Sequence, residues 1–570
     1  MNRRSLIYIA AILAAIAVLL AVSGGVRATV GGLRISVRSP IPISTAALAL
    51  VGVWWILARG ARSIQPDLVE AWSALARRSS RVVVAIAAVS AVTAGVFATH
   101  SAAGADASGY LSEAAQWSAG ELFYRDALPG AIGAADPWIT APLGWRPTGT
   151  TGVQAPTYPP GLPLLMAIPH ALGGTMAASL VIAAGAGIAV WATAAVAAQL
   201  AGGIAGVLAA ALLAVTPVFL YQSVQPMSDV PVTAAWMVMW LLLVRGSGRV
   251  LLAGLCCAIA VLIRPNLAPL AAVPLMVIGF HRRRLVAFSL PVAVAGLALM
   301  WLQWQWYGSP LRSGYGTADE LFAFVNIAPN ATRYLSWLVA TSPVLLIAPA
   351  GVAVAWRQAP AKALAAFATL VVAAYLVYAV FEVWSYLRFL LPALAVAAVF
   401  TSVAVASAIA RLPASSMAAA VLAVVLGLMA HGVSQARALD AFRLADQQRR
   451  VSQVADYLAG MSADAVIVAG EQSGALRYYS GRSILRWDAA SPDALARAIG
   501  TLATGGRPIV IALDAWENEP FRAKLGALPA VSLEWPPAFE AGTSHRTRVW
   551  RLSDRDAFLR GERVNTDRVP

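Results

Sequence analysis

Charge and sulphur are both scarce in this chain. Of its 570 residues only 12% are charged and two are cysteines. A soluble chain of this length would need far more charged surface, so the shortage excludes an ordinary soluble globular class. Cys256 and Cys257 are adjacent within an apolar run, which excludes a disulfide framework and any metal-ligand spacing. Lysine is nearly absent as well, with Lys362 and Lys524 the only two. What remains is 59% hydrophobic with a mean hydropathy of +0.70, the composition of a polytopic membrane protein. The formal net charge of +15 then reflects basic loops that hold one side of the membrane in place. No nucleic-acid partner is expected.

A helix crosses the hydrocarbon with about 20 apolar residues. Such runs fall near 5–22, 41–58, 82–99, 175–200, 204–222, 231–244, 250–263, 266–280, 285–306, 335–355, 363–381, 387–410 and 415–433. That is about thirteen spans. The first follows Asn2-Arg3-Arg4 and lacks a small-x-small cleavage site, so it is expected to be an anchor. Arginine-rich segments at 59–81, 245–249, 281–284 and 357–362, with Arg411, alternate as cytoplasmic loops. The segment with Arg27, Arg34 and Arg38 breaks that pattern. Acidic residues before 434 give an independent check: all but Asp67 and Glu70 fall on the outer side. The segment 158–169 is short and proline-rich, and is expected at the outer interface or only partly within the bundle.

After residue 434 strand-like runs, AVIVAG (465–470) and PIVIALD (508–514), alternate with helix-like ones at 491–503 and 519–528. This reads as a small α/β domain with a mostly parallel sheet. It contains no Gly-rich phosphate loop and no nucleophile elbow, so an accessory role is expected. The chain divides into two N-terminal helices (1–81), a transmembrane module (82–433) with a first outer loop at 100–174, and the C-terminal domain (434–570), which this topology leaves outside the cytoplasm.

Carboxylates gather in that outer loop, in GADASGYLSEAAQWSAGELFYRD. Asp106 reads either as a solvated side chain, as the cap of a helix beginning near Ser108–Tyr110, or as a reactive group. Glu113 falls two turns further on and shares a helical face with it. Glu121 and Asp126 are expected on the solvated side. Asp229 stands in the proline-flanked turn YQSVQPMSDVP, where aspartate often has only a structural task. Arg264, in VLIRPN, reaches the outer leaflet from within the bundle and calls for a carboxylate or an anionic ligand. Arg388, in FEVWSYLRFLLP, either snorkels toward headgroups or serves the same anion. Carboxylates and arginines at one membrane face, among Trp, Tyr and Pro, suit a substrate with a lipid tail, an anionic phosphate and a sugar.

In these residues the chain resembles the GT-C superfamily of membrane glycosyltransferases. It is most similar to the bacterial branch related to dolichyl-phosphate-mannose protein mannosyltransferases and aminoarabinose transferases. The resemblance rests on Asp106 with Tyr110, on Tyr158-Pro159-Pro160-Gly161, and on the segments 215–231, 253–266 and 384–394. It spans roughly 82–410. It implies a polyprenyl-phosphate-linked sugar donor used at the outer face of the bacterial cytoplasmic membrane, and a lipid, glycan or protein acceptor. Asp106 matches the catalytic base of the first loop; Arg264 and Arg388 are the candidates for stabilising the leaving phosphate, and Asp229, Tyr110, Tyr158 and Glu113 are the candidate substrate contacts, Glu113 as a helper acid. Two departures stand out: Ala107 follows Asp106 where many relatives have a second acid, and two extra spans precede the module. No cofactor or metal is expected, although weak binding of a divalent cation by loop carboxylates stays open. A lipid-linked-sugar flippase and a non-catalytic envelope assembly protein are the alternatives. The absence of internal duplication speaks against the flippase.

Overall fold

The computed structural model describes residues 3–570 apart from 24, 31–32, 38 and 134–135. Among the described residues, eight helices are long and apolar enough to cross a membrane: Arg3–Val22, Ile41–Gly60, Ile64–Val96, Gly161–Ala201, Arg282–Tyr307, Ala359–Leu376, Trp384–Ile409 and Ala414–Ala438. Two helix pairs are bent, Gly203–Ala214 with Pro217–Ser223 by 65° and Phe324–Thr341 with Pro343–Ala355 by 111°, and the count reaches ten if each is one span. Both bends fall before a proline, which drives the preceding residue out of helical backbone. Thr216 is extended at ψ 121° and Ser342 lies at φ −148°.

The expected thirteen spans therefore become eight to ten. Asp229–Val244, Val250–Ile263 and Pro265–Ile278 are apolar but short, no more than about 24 Å at the helical rise. The segment 158–169, expected near the interface, leads into the helix Gly161–Ala201, which breaks at Gly173 and Gly174. The segment 59–81, expected as a loop, is mostly helix: Ile64–Val96 runs for 33 residues, about 50 Å. Near its start Asp67 is buried and accepts hydrogen bonds from Arg3 (2.7 Å), Arg4 (3.1 Å) and Trp54 Nε1 (3.2 Å). One carboxylate thereby ties the two N-terminal helices to the rest. The arginine-bearing segment between them is an antiparallel hairpin, Val26–Val30 against Leu33–Val37, with Arg38 outside the described residues.

The C-terminal domain holds a six-stranded sheet. Ser483–Arg486 and Ile509–Asp514 flank Val466–Ala469, both parallel to it. Thr547–Arg551 then pairs antiparallel with Ile509–Asp514 and with Phe539–Ala541, and Asp567–Val569 closes the edge in parallel. The sheet is mixed but mostly parallel, as expected: five of its strands run one way and only Thr547–Arg551 runs against them. Residues 542–546 are too few for a crossover, so the strands on either side form a hairpin.

This domain and the first outer loop share a core. Leu128 and Ile139 of the loop pack among Val466, Leu485 and Trp550. Polar contacts reinforce the joint: the Ala102 N–H donates to Tyr479 Oη (2.8 Å), Gly104 N–H to Gln472 Oε1 (3.0 Å) and Leu143 N–H to Ser473 Oγ (3.1 Å). Gln472 Nε2 in turn donates to Asp514 (2.9 Å), which also accepts from Arg450 Nη2 (3.1 Å) and from Thr547. Both members of the Arg450–Asp514 pair are buried. Removing one partner of a buried ion pair strands the other charge, at about 3–5 kcal/mol. Arg450→Met is therefore expected to lower the melting temperature in detergent and speed trypsin cleavage within 434–570. Wild-type behaviour in both assays would refute the clamp.

Candidate active site

Three backbone features deliver the polar residues to one place. Gly104, at φ +75°, caps the helix Ala105–Ser118 and puts Asp106 in its first turn, so Asp106 is inside this helix rather than its cap. Pro265 stops the helix Val250–Ile263 at Arg264, whose backbone is extended toward φ −143°, ψ 81°. Asp229 opens the helix Asp229–Val244. A carboxylate at a helix start and a guanidinium at a helix end each suit the local backbone dipole. Arg388 sits in the 3₁₀ turn Trp384–Leu390, directly before the buried helix Leu391–Ile409.

Asp106, Tyr110, Tyr158, Asp229, Arg264 and Arg388 all line one cavity of about 350 Å³. Arg388 Nη2 donates to Asp106 Oδ2 at 2.6 Å, and Tyr158 Oη donates to Oδ1 at 2.8 Å. Arg264 Nη2 donates to Asp229 Oδ1 at 2.6 Å and to Ser228 Oγ at 3.2 Å. Tyr110 Oη donates to the same Ser228 hydroxyl at 3.1 Å, which joins the two ion pairs through the helix that carries Asp106. Both guanidinium groups lie against the Phe389 ring, at 5.6 Å for Arg264 and 5.3 Å for Arg388. Asp229 is fully buried, whereas the Asp106 side chain keeps 37% of its surface open to the cavity. Arg264 Nη1 and Arg388 Nε are buried with no hydrogen-bond partner among the described residues.

Close packing holds this arrangement. The Tyr158 ring lies so near Gly109 that a Cβ there would come within 2.2 Å of it. A side chain at 109 would push away the donor that fixes Asp106. Burial, followed by the Asp106 charge, raises the Tyr158 phenol well above its usual range, so it remains a hydrogen-bond donor.

Glu113 does not join the others. It is buried beside Trp117, whose Nε1 donates to its Oε1 at 3.1 Å, and its second oxygen has no hydrogen-bond partner among the described residues. Asp126, expected to be solvated, is a structural joint: it accepts from Tyr124 Oη, Leu128 N–H and Ser483 Oγ, each at 2.9 Å. Glu121 is exposed as expected. Sequence reasoning missed Ser228, Asn266, Tyr315 and Tyr375, which also line the cavity. Ser228 and Asn266 lie inside segments already singled out, beside Asp229 and Arg264. Tyr315 had no signal beyond its place in a glycine-rich turn. Among the described residues, no three or more His, Cys, Asp or Glu side chains are grouped so as to hold a metal ion.

Burial raises the Glu113 carboxyl to about 8. The folded chain thus holds this proton more tightly than the unfolded chain, where a glutamate titrates near 4.5. The group's contribution is most favourable below the unfolded value and is lost as pH rises toward the folded one. Glu113→Gln is expected to flatten the fall in melting temperature between about pH 5 and pH 8. An unaltered slope in the variant would rule this carboxyl out as its source.

No protein-family model matches the chain, and no curated protein matches it. Among solved structures it is similar to ArnT from Cupriavidus metallidurans bound to undecaprenyl phosphate, with a TM-score of 0.51 and 12% identity over 82% of this chain and 98% of that one. The apo form of ArnT gives the same TM-score at 13% identity, over 82% and 97%. The archaeal oligosaccharyltransferase AglB from Archaeoglobus fulgidus, in complex with an inhibitory peptide and a dolichol-phosphate, overlaps at a TM-score of 0.47 and 12% identity over 79% and 71%. At these identities the likeness to ArnT is one of fold. The chain is a multi-pass membrane protein whose fold is similar to that of the GT-C glycosyltransferases.

Proposed function

We propose that this protein is an inverting glycosyltransferase that moves a sugar from a polyprenyl-phosphate-linked donor to a hydroxyl of a lipid, glycan or protein. The observation that carries the reading is the convergence of Asp106, Arg388, Asp229 and Arg264, from four distant segments, on one cavity. Each guanidinium there keeps a buried N–H without a hydrogen-bond partner among the described residues. An oxygen-rich anion satisfies such donors better than water does, through charge-assisted hydrogen bonds. The solved ArnT structure with undecaprenyl phosphate supplies a ligand of that chemistry on a similar fold.

On this reading Asp106 takes the proton of the acceptor hydroxyl. The hydroxyl oxygen bonds to the anomeric carbon from the face opposite the phosphate. The carbon–oxygen bond to phosphate breaks, its electron pair leaves with the lipid phosphate, and the configuration inverts. Arg388 and Arg264 offset the charge that develops on the leaving oxygen, so no proton donor is needed. Tyr158 and Arg388 aim the Asp106 carboxylate, Asp229 holds Arg264, and Tyr110 fixes the Ser228 bridge between them. Residues 82–433 form the catalytic module and 434–570 an accessory cap over its loop. The arginine-rich ends face the bacterial cytoplasm, and Asp106 and the C-terminal domain face outward.

Transfer of labelled sugar from a polyprenyl-phosphate donor in isolated membranes tests the reading. Asp106→Asn is expected to lower the rate by about 10²–10⁴-fold, the usual contribution of a general base. Arg388→Gln should slow transfer as well and free the Asp106 carboxylate from its partner. Full activity in Asp106→Asn would eliminate the proposed base.

A further inference from the structure

A second cavity, of about 760 Å³, lies beside the first and is built from a different set of residues. Trp306 and Tyr307, at the end of the helix Arg282–Tyr307, line both cavities. The second is basic: Arg125, Arg146 and Arg312 line it, with no aspartate or glutamate among the lining residues. None of the three forms an ion pair among the described residues, whereas Arg333, Arg486 and Arg560 do.

The strand register explains why two of them point the same way. Arg125 pairs with Val153, and Arg146 pairs with Ala155 on the same central strand. Val153 and Ala155 are two residues apart, so both arginines and both partners lie on one face of this three-stranded sheet. Ala155 is small and packs against Trp306, which leaves the long arginine side chains standing on either side of a hollow. Arg312 comes from the loop that follows the helix Arg282–Tyr307. The Arg146 guanidinium is also stacked over Trp138 at 4.9 Å, and that ring remains 38% exposed.

We propose that this second cavity binds an anionic saccharide, one bearing a carboxylate or a phosphate. Planar guanidinium groups recognise both anions through paired N–H donors, and the exposed Trp138 ring offers an apolar face to a sugar ring. Its volume is within the range of sites that enclose drug-sized ligands, about 300–1,000 Å³. The cavity's walls come mainly from the loop strands and polar turn residues, with Gln305, Trp306 and Tyr307 added from the outer end of one membrane-length helix, which favours a saccharide over a lipid headgroup. Burial, with the nearby Arg312 charge, holds the Arg146 guanidinium below its ordinary value, a strain that a bound anion relieves. The neighbouring carboxylates do not line the cavity: Glu320, whose charge acts on Arg146 in the opposite sense, accepts from Thr317 N–H at 2.9 Å, and Asp136 accepts from Trp138 N–H at 2.9 Å. The shared wall of Trp306 and Tyr307 puts the bound saccharide next to the reaction cavity, in reach of an acceptor role. That last assignment rests on the transferase reading, whereas anion binding does not.

Direct binding separates the two. The full chain, purified in nanodiscs of neutral lipid, is titrated calorimetrically with trigalacturonate, with mannose 6-phosphate and with neutral maltotriose. At least one of the anionic sugars is expected to bind at least tenfold more tightly than maltotriose, with affinity falling as salt rises. Arg146→Gln/Arg312→Gln should lose that difference. Arg312→Gln alone, at an exposed side chain, should reduce it without risk to the fold. Asp106→Asn should retain it, so a failed transfer assay and a failed binding assay are distinguishable. The proposal is overturned if neither anionic sugar outbinds maltotriose, or if the double variant binds like the wild type. It is equally overturned if phosphatidylglycerol in the nanodisc displaces the sugars, which would assign the cavity to a lipid headgroup.

Discussion

Two guanidinium groups buried at one end of the helical bundle constrain everything around them. A charge in so poor a dielectric needs a partner, and each arginine has one carboxylate: Asp229 for Arg264 and Asp106 for Arg388. The pairs are not independent, because Ser228 accepts from both Arg264 and Tyr110, and Tyr110 rides on the helix that carries Asp106. Four segments that are remote in the sequence therefore fix one another's positions. Removing a carboxylate here strands a cation, which makes the cluster costly to disturb and so well suited to holding a reactive geometry.

The C-terminal domain enters the same construction from the other side of the loop. Gln472 accepts from Gly104, two residues before Asp106, and donates to the Asp514 that Arg450 neutralises. The loop contributes Leu128 and Ile139 to the domain's own core, so neither part presents a finished apolar surface without the other. Glu471 stands at this junction, and burial, with Glu517, Asp514 and Asp106, raises its carboxyl to about 7. The acids of this face are thus concentrated where loop and domain meet.

Much of this was legible in local pattern. The Arg264-Pro265 step marked a helix end with a cation on it, and the ordered segments around Asp106, Tyr158, Asp229 and Arg388 pointed to a shared fold and a shared site. Pairing was not legible, because Asp106 and Arg388 are 282 positions apart and a short motif carries no distance. Glu113 misled because helical spacing places two residues on a stripe but leaves open which neighbour covers it. Here Trp117 does. Asp126 misled for the opposite reason: an acidic loop residue looks solvated until Ser483, from another domain, donates to it. Apolar length alone gives too many spans, because it does not show that Pro217 and Pro343 bend helices and that 229–278 is divided into short pieces.

On the transferase reading, charge balance adds a step to the chemistry. Asp106, Asp229, Arg264 and Arg388 sum to no net charge, so the cavity carries its own counterions. A phosphodiester donor adds a negative charge beside Arg388 and competes with Asp106 for the same guanidinium. As Arg388 turns its free Nε toward phosphate, Asp106 Oδ2 loses a strong donor and keeps only the Tyr158 hydrogen bond at Oδ1. The carboxylate oxygen that Arg388 releases is then free to accept the hydrogen bond of the acceptor hydroxyl. Asp229 lines the cavity as well but is fully buried against Arg264, whereas the Asp106 side chain keeps 37% of its surface exposed, so Asp106 is the one an acceptor hydroxyl can reach.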